Sequence, residues 1–134
     1  MIRLEKTTLI YLVLAGCCDT ISGVMLMAAP VWTLSVMGVA STLVEPVYMQ
    51  WIGAFVFSVG LSYFTPFLVR DRRAMVRGLL VTTLIVRVVI ASFSGWSILR
   101  GALDPTWMSV PMSDAAMAAI QAVLLVMLAG KDKA

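Results

Sequence analysis

Histidine is absent from this 134-residue chain, and cysteine occurs only as the neighbours Cys17 and Cys18. Without histidine, bis-histidine haem ligation and most zinc sites are excluded. The two cysteines lie inside an apolar stretch and form no CxxC motif, so dithiol exchange has no equipment here. They read as small apolar packing residues, because the adjacent Asp19 would disfavour a reactive thiolate. Charge is scarce as well. Only 13% of the residues are Asp, Glu, Lys or Arg, against about a quarter in soluble domains. What is abundant is apolar surface: 61% of the residues are hydrophobic, and the mean hydropathy is +0.99. This composition is that of an integral membrane protein forming one domain over 1–134. The high isoelectric point, about 9.2, does not imply nucleic acid, because the basic residues are distributed as membrane-topology signals.

Four apolar runs are long enough to cross a hydrocarbon core of about 30 Å. They cover approximately 7–29, 50–69, 78–99 and 112–129. A signal-peptide reading of the first has Arg3 and Lys6 as a basic start and Ala28-Ala29-Pro30 as a small-residue end. The run is too long for that and is interrupted by Asp19, so it is expected to be retained as a span. Pro30 starts a short outer helix over 30–38, made interfacial by Val31, Trp32, Leu34 and Met37. Glu45 and Pro46 mark a turn, Pro66 falls near the end of the second span, and Gly101 is placed to cap the third. Ser113 or Asp114 reads as the cap of the fourth. Glu45, Asp104 and Asp114 read as solvated carboxylates of the outer connections.

Lysine and arginine set the orientation. Arg3 and Lys6, the cluster Arg70, Arg72, Arg73 and Arg77, and Lys131 and Lys133 all lie on one side, and only Arg100 lies in the connections of the other. The expectation is an all-α four-helix transmembrane bundle with both termini cytoplasmic, placed in a bacterial inner membrane. The inner basic cluster would contact lipid headgroups or dock a cytoplasmic partner. Trp32, Trp51, Trp96 and Trp107 all fall at outer ends of spans or in outer connections, as an aromatic belt.

Two ionisable residues sit inside spans. In the first, Gly16, Asp19, Thr20 and Gly23 share one small, polar helical face. In the third, Thr83, Arg87, Ala91 and Ser94 do the same, and Gln121 is the mid-span polar side chain of the alanine-rich fourth. Asp19 and Arg87 lie at comparable depths. A carboxylate and a guanidinium at one depth are expected to meet. The arrangement can be a structural ion pair, a proton- or substrate-coupling site, or a pair of groups facing a partner subunit, an anionic lipid or a quinone headgroup. No metal set and no evident cofactor accompany it, although bound lipid or quinone is compatible. Gly53, Ser58 and Gly60 give the second span close-packing positions.

The four short spans, Gly16 and Gly23 in the first, Pro30 at its outer end, and Gly53 and Gly60 in the second resemble the DoxX-like group of small bacterial membrane proteins in layout. That resemblance implies an accessory or scaffold subunit, as a homo-oligomer or in a larger quinone-linked redox complex. This chain has Asp19 and Arg87 in place of a lysine near the outer end of the first span. Ile10-Tyr11-Leu12 followed by Asp19 and Gly23 is also similar to the first helix of the small multidrug resistance transporters. That likeness implies a proton-coupled exporter with Asp19 as the coupling carboxylate, although those proteins use glutamate and short loops. No catalytic constellation is present, and a non-enzymatic protein is the expectation.

Overall fold

The computed structural model describes residues 2–39 and 45–131, with side chains for 6–39 and 45–130. Five α-helices account for most of them: α1 (Ile2–Ala28), α2 (Pro30–Val36), α3 (Pro46–Ser62), α4 (Arg72–Leu99) and α5 (Ser109–Lys131). Short 3-10 turns occupy Thr65–Phe67 and Pro105–Met108, and no strand occurs among the described residues. Among the described residues, four stretches are long and apolar enough to cross a membrane: Lys6–Ala28, Pro46–Phe67, Arg72–Leu99 and Pro105–Gly130. The chain is an all-helical integral membrane protein. Lys131, Lys133 and Arg3, used above for orientation, lie outside the described side chains.

Helix ends follow local chemistry. Ala29 leaves the helical region at φ −147°, and Pro30 restarts the chain as the first residue of α2, where its missing N–H costs nothing. Pro46 begins α3 in the same way. Gly38 and Gly101 take φ of 75° and 70° just past α2 and α4, a region where a side chain would clash.

Several helix boundaries differ from the sequence expectation. The second helix covers Pro46–Ser62 rather than 50–69, and the third begins at Arg72 rather than 78, because arginines are good helix formers and their long stems carry the charge away from the helix. The fourth helix begins at Ser109 with Pro111 in its first turn, where the proline removes no intrahelical bond. Ser113 and Asp114 therefore lie inside α5, and neither caps it.

The chain forms two compact units, residues 5–72 and residues 73–134 with the first four. In the 5–72 unit, α1 and α3 run antiparallel with almost no side-chain volume between them. Gly23 faces the backbone of Phe57, Gly53 faces Leu26, Gly60 faces Thr20, and Gly16 faces Tyr63 and Phe64. A Cβ on Gly23 would come within 2.5 Å of the Phe57 nitrogen. Lipid supplies no hydrophobic drive between helices, so close backbone approach and dispersion must hold such a pair. Gln50 adds a cross-link, its Nε2 donating to the Met27 carbonyl at 3.1 Å. Tyr63 is fully buried, and its ring meets that of Tyr11 edge-on.

In the other unit, α4 and α5 also run antiparallel. Their contacts pair Thr83 with Gln121, Arg87 with Asp114 and Gly95 with Pro111. Several polar side chains are buried here while many large apolar ones face outward. Ile85, Val89 and Phe93 of α4 and Val123 and Val126 of α5 are exposed. Thr83, Arg87, Ser94, Ser97 and Gln121 are buried. Apolar faces outward and polar groups inward fit a hydrocarbon surround.

Candidate functional site: a polar ladder inside the α4–α5 hairpin

The centre of the ladder is Arg87. It lies twelve residues before the end of α4 at Leu99, about 18 Å at 1.5 Å per residue, and only 7% of its surface is exposed. Its Nη1 donates to Asp114 Oδ1 at 2.7 Å. This length is typical of a charge-assisted bond. Asp114 reaches Arg87 because α5 starts early. Asp114 sits five residues into the helix, on the face that carries the buried residues Pro111, Ala118 and Gln121.

Two turns beyond Asp114 on α5, Gln121 is wholly buried, and its Nε2 donates at 2.9 Å to the Oγ1 of Thr83, one turn before Arg87 on α4. The Thr83 hydroxyl passes its own proton back to the Leu79 carbonyl at 2.8 Å. Ser94 bonds the Ile90 carbonyl at 2.6 Å, which satisfies a hydroxyl that would otherwise be costly in an apolar surround. The ladder thus holds an ion pair and a neutral amide–hydroxyl pair, both between the same two helices. Chemically it can fix helix register, and the guanidinium, with its five N–H donors, has the capacity to donate to more than one acceptor.

Asp19 belongs to the other unit. It is half-buried, on the α1 face that carries Gly16, Thr20 and Gly23 against α3. The Thr20 hydroxyl oxygen is buried beside Gly60 and has no hydrogen-bond partner among the described residues. Arg87 and Asp19 therefore stand in separate compact units, and within its own unit Arg87 takes Asp114.

The remaining candidate residues are placed as follows. Trp32, Trp51 and Trp96 are exposed, and Trp107 is half-buried. Arg100 stacks over the Trp96 ring at 5.9 Å. Arg70, Arg72, Arg73 and Arg77 are exposed, with Arg72 over the Phe67 ring at 5.9 Å. Cys17 and Cys18 are both exposed, on a helix read as membrane-embedded. Among the described residues no group of three or more His, Cys, Asp or Glu side chains is placed to hold a metal ion.

Asp104 lies outside the spans. Its carboxylate accepts the Thr106 N–H at 2.8 Å, and this bond holds its pKa below the usual value.

Asp114 is the residue that sequence reasoning placed differently, as a helix cap at the outer surface. The signal that identifies it is helical spacing: Pro111, Asp114, Ala118 and Gln121 recur at one face. Comparison of the chain with known protein families, curated proteins and solved structures finds no match.

Proposed function

We propose that the chain is a non-enzymatic accessory or scaffold subunit of a larger membrane assembly, with the α4–α5 ladder as its structural lock. The observation that carries this reading is the Arg87–Asp114 pair. A guanidinium at mid-depth is met at 2.7 Å by a carboxylate of the same hairpin, which is what a fixed register needs. The exposed alanines Ala115, Ala116, Ala119 and Ala122 on α5 leave a surface that a neighbouring backbone can approach closely.

The test has two parts. Purification in mild detergent from the source membrane, with mass spectrometry of co-purifying chains, is expected to recover a complex of fixed stoichiometry. Asp114→Ala is expected to destabilise the protein by about 3–5 kcal/mol, because it removes the carboxylate that pairs with a buried guanidinium. The exchange Arg87→Asp with Asp114→Arg should recover part of that loss. Recovery of the chain alone, with an unperturbed Asp114→Ala variant, overturns the reading.

A second reading is a small proton-coupled exporter, favoured by the half-buried carboxylate of Asp19 at mid-span on a glycine-lined face. It requires Asp19→Asn to abolish transport in vesicles while the protein stays folded. Unchanged transport in a folded Asp19→Asn protein removes it.

A further inference from the structure

At the outer end of the 5–72 unit, an open groove of about 620 Å³ lies between the start of α2 and the start of α3, lined by Ala29, Pro30, Val31, Trp32, Pro46 and Gln50. Two of its walls are prolines at helix starts, which present no N–H. Its polar side chains are turned to backbone: Gln50 Nε2 to the Met27 carbonyl at 3.1 Å, and Ser35 Oγ to the Trp32 carbonyl at 2.7 Å. The lining that remains is almost wholly apolar, yet it is open, and Trp32 is 58% exposed.

Its position identifies the surround. Ala29 is one residue beyond the α1 span, and Pro46 is the first residue of the α3 span. The groove therefore opens where two membrane-crossing helices leave the hydrocarbon, continuous with the apolar faces that those helices present to lipid. α2 packs inward through Pro30, Thr33 and Leu34 and leaves Val31, Trp32 and Val36 outward. An exposed indole beside an apolar groove at that level suits the glycerol and upper acyl region of a phospholipid.

We infer that this groove is a binding site for a phospholipid acyl chain, held between α2 and α3 with Trp32 at its rim. The proposal does not depend on the accessory-subunit reading. A protein carrying Trp51→Phe, Trp96→Phe and Trp107→Phe leaves Trp32 as the single reporter. It is placed in phosphatidylcholine vesicles containing increasing fractions of lipid brominated high on the acyl chain. A single bound chain is expected to quench Trp32 in simple proportion to the brominated fraction, whereas a tryptophan with several neighbours in bulk lipid is quenched more steeply at low fractions. Ala29→Phe or Ser35→Leu, which fill the groove from two sides, are expected to return the quenching to the bulk-lipid curve; circular dichroism confirms that each remains helical. A Trp32 that follows the bulk curve before and after filling overturns the proposal. So does a Trp32 quenched by aqueous iodide and not by brominated lipid, or one shielded by a second copy in proportion to protein density.

Discussion

A single hydrogen at Gly60 decides how closely α1 and α3 can pack. A Cβ there would run into the backbone of Thr20 and lie 2.5 Å from its Oγ1. Backbone cannot move aside as a flexible side chain can, so Gly60→Ala is expected to lower stability by about 1–3 kcal/mol, the usual cost of overpacking. Gly78, in α4, is the control. Nothing lies within 4 Å of a Cβ built on it, so Gly78→Ala should be neutral or stabilise by about 0.5–1 kcal/mol through helix propensity. Thermal unfolding of the two variants in one detergent separates them, and equal midpoints would show that the close approach contributes nothing. Glycines at close-packing positions were legible in the sequence, since Gly16, Gly23, Gly53 and Gly60 stood out within apolar runs. Their partners were not legible. Which backbone lies over which glycine depends on a helix crossing that no one-dimensional pattern encodes. Asp114 shows the same limit. Its charge was visible, but its depth depended on where α5 starts, and Pro111 in the first turn hid that start.

At the scale of the element, hydropathy shows which stretches are apolar but not where a helix starts or stops. A helix is bounded by hydrogen bonding and caps, whereas a span is bounded by polarity, so α4 extends through arginines to Arg72 and α3 stops at Ser62, before the proline of the Thr65–Phe67 turn. The connection between α4 and α5 has its own small device. Asp104 caps the Pro105–Met108 turn through the Thr106 N–H, and its folded-state pKa is lowered from 3.8 by that bond. A lowered pKa means that the carboxylate's contribution is complete above the unfolded value and is lost as pH falls through the folded value. The turn should therefore be indifferent to pH near neutrality and fray only under strong acid, below about pH 4. With Trp107 as the single tryptophan, its emission is expected to stay constant down to that range and then shift. Asp104→Asn keeps a capping oxygen without a titrating proton and should abolish the shift. A shift that persists in Asp104→Asn would assign it to another group.

For the whole molecule, the inverted distribution of polarity explains why class was easier to read than function. Burial of Arg87, Gln121 and Thr83 with exposure of Ile85, Phe93 and Val126 is stable only where the surround is hydrocarbon, so composition alone points to a membrane. A function needs a particular site, and the polar groups of this chain are few enough to serve register alone. Orientation is the molecular property that remains to be measured. Four arginines lie at 70–77 and one at Arg100, and the positive-inside bias places the turn before α4 in the cytoplasm and the connection after α4 outside. In a background of Cys17→Ala and Cys18→Ala, a cysteine at Ala102 should react with a membrane-impermeant maleimide in intact cells. A cysteine at Arg70 should react only after permeabilisation. Both positions are exposed, so a missing reaction reports the side of the membrane rather than burial. The reverse pattern would invert the molecule, complete labelling of both sites in intact cells would mean that 72–99 does not cross, and partial labelling of each would mean a mixed orientation. Removing charge tests the cause: neutralising Arg72, Arg73 and Arg77 to glutamine in the Arg70→Cys protein leaves no basic residue in the inner turn against Arg100 outside. That variant is expected to show a mixed orientation, with part of the Arg70→Cys population becoming reactive from outside.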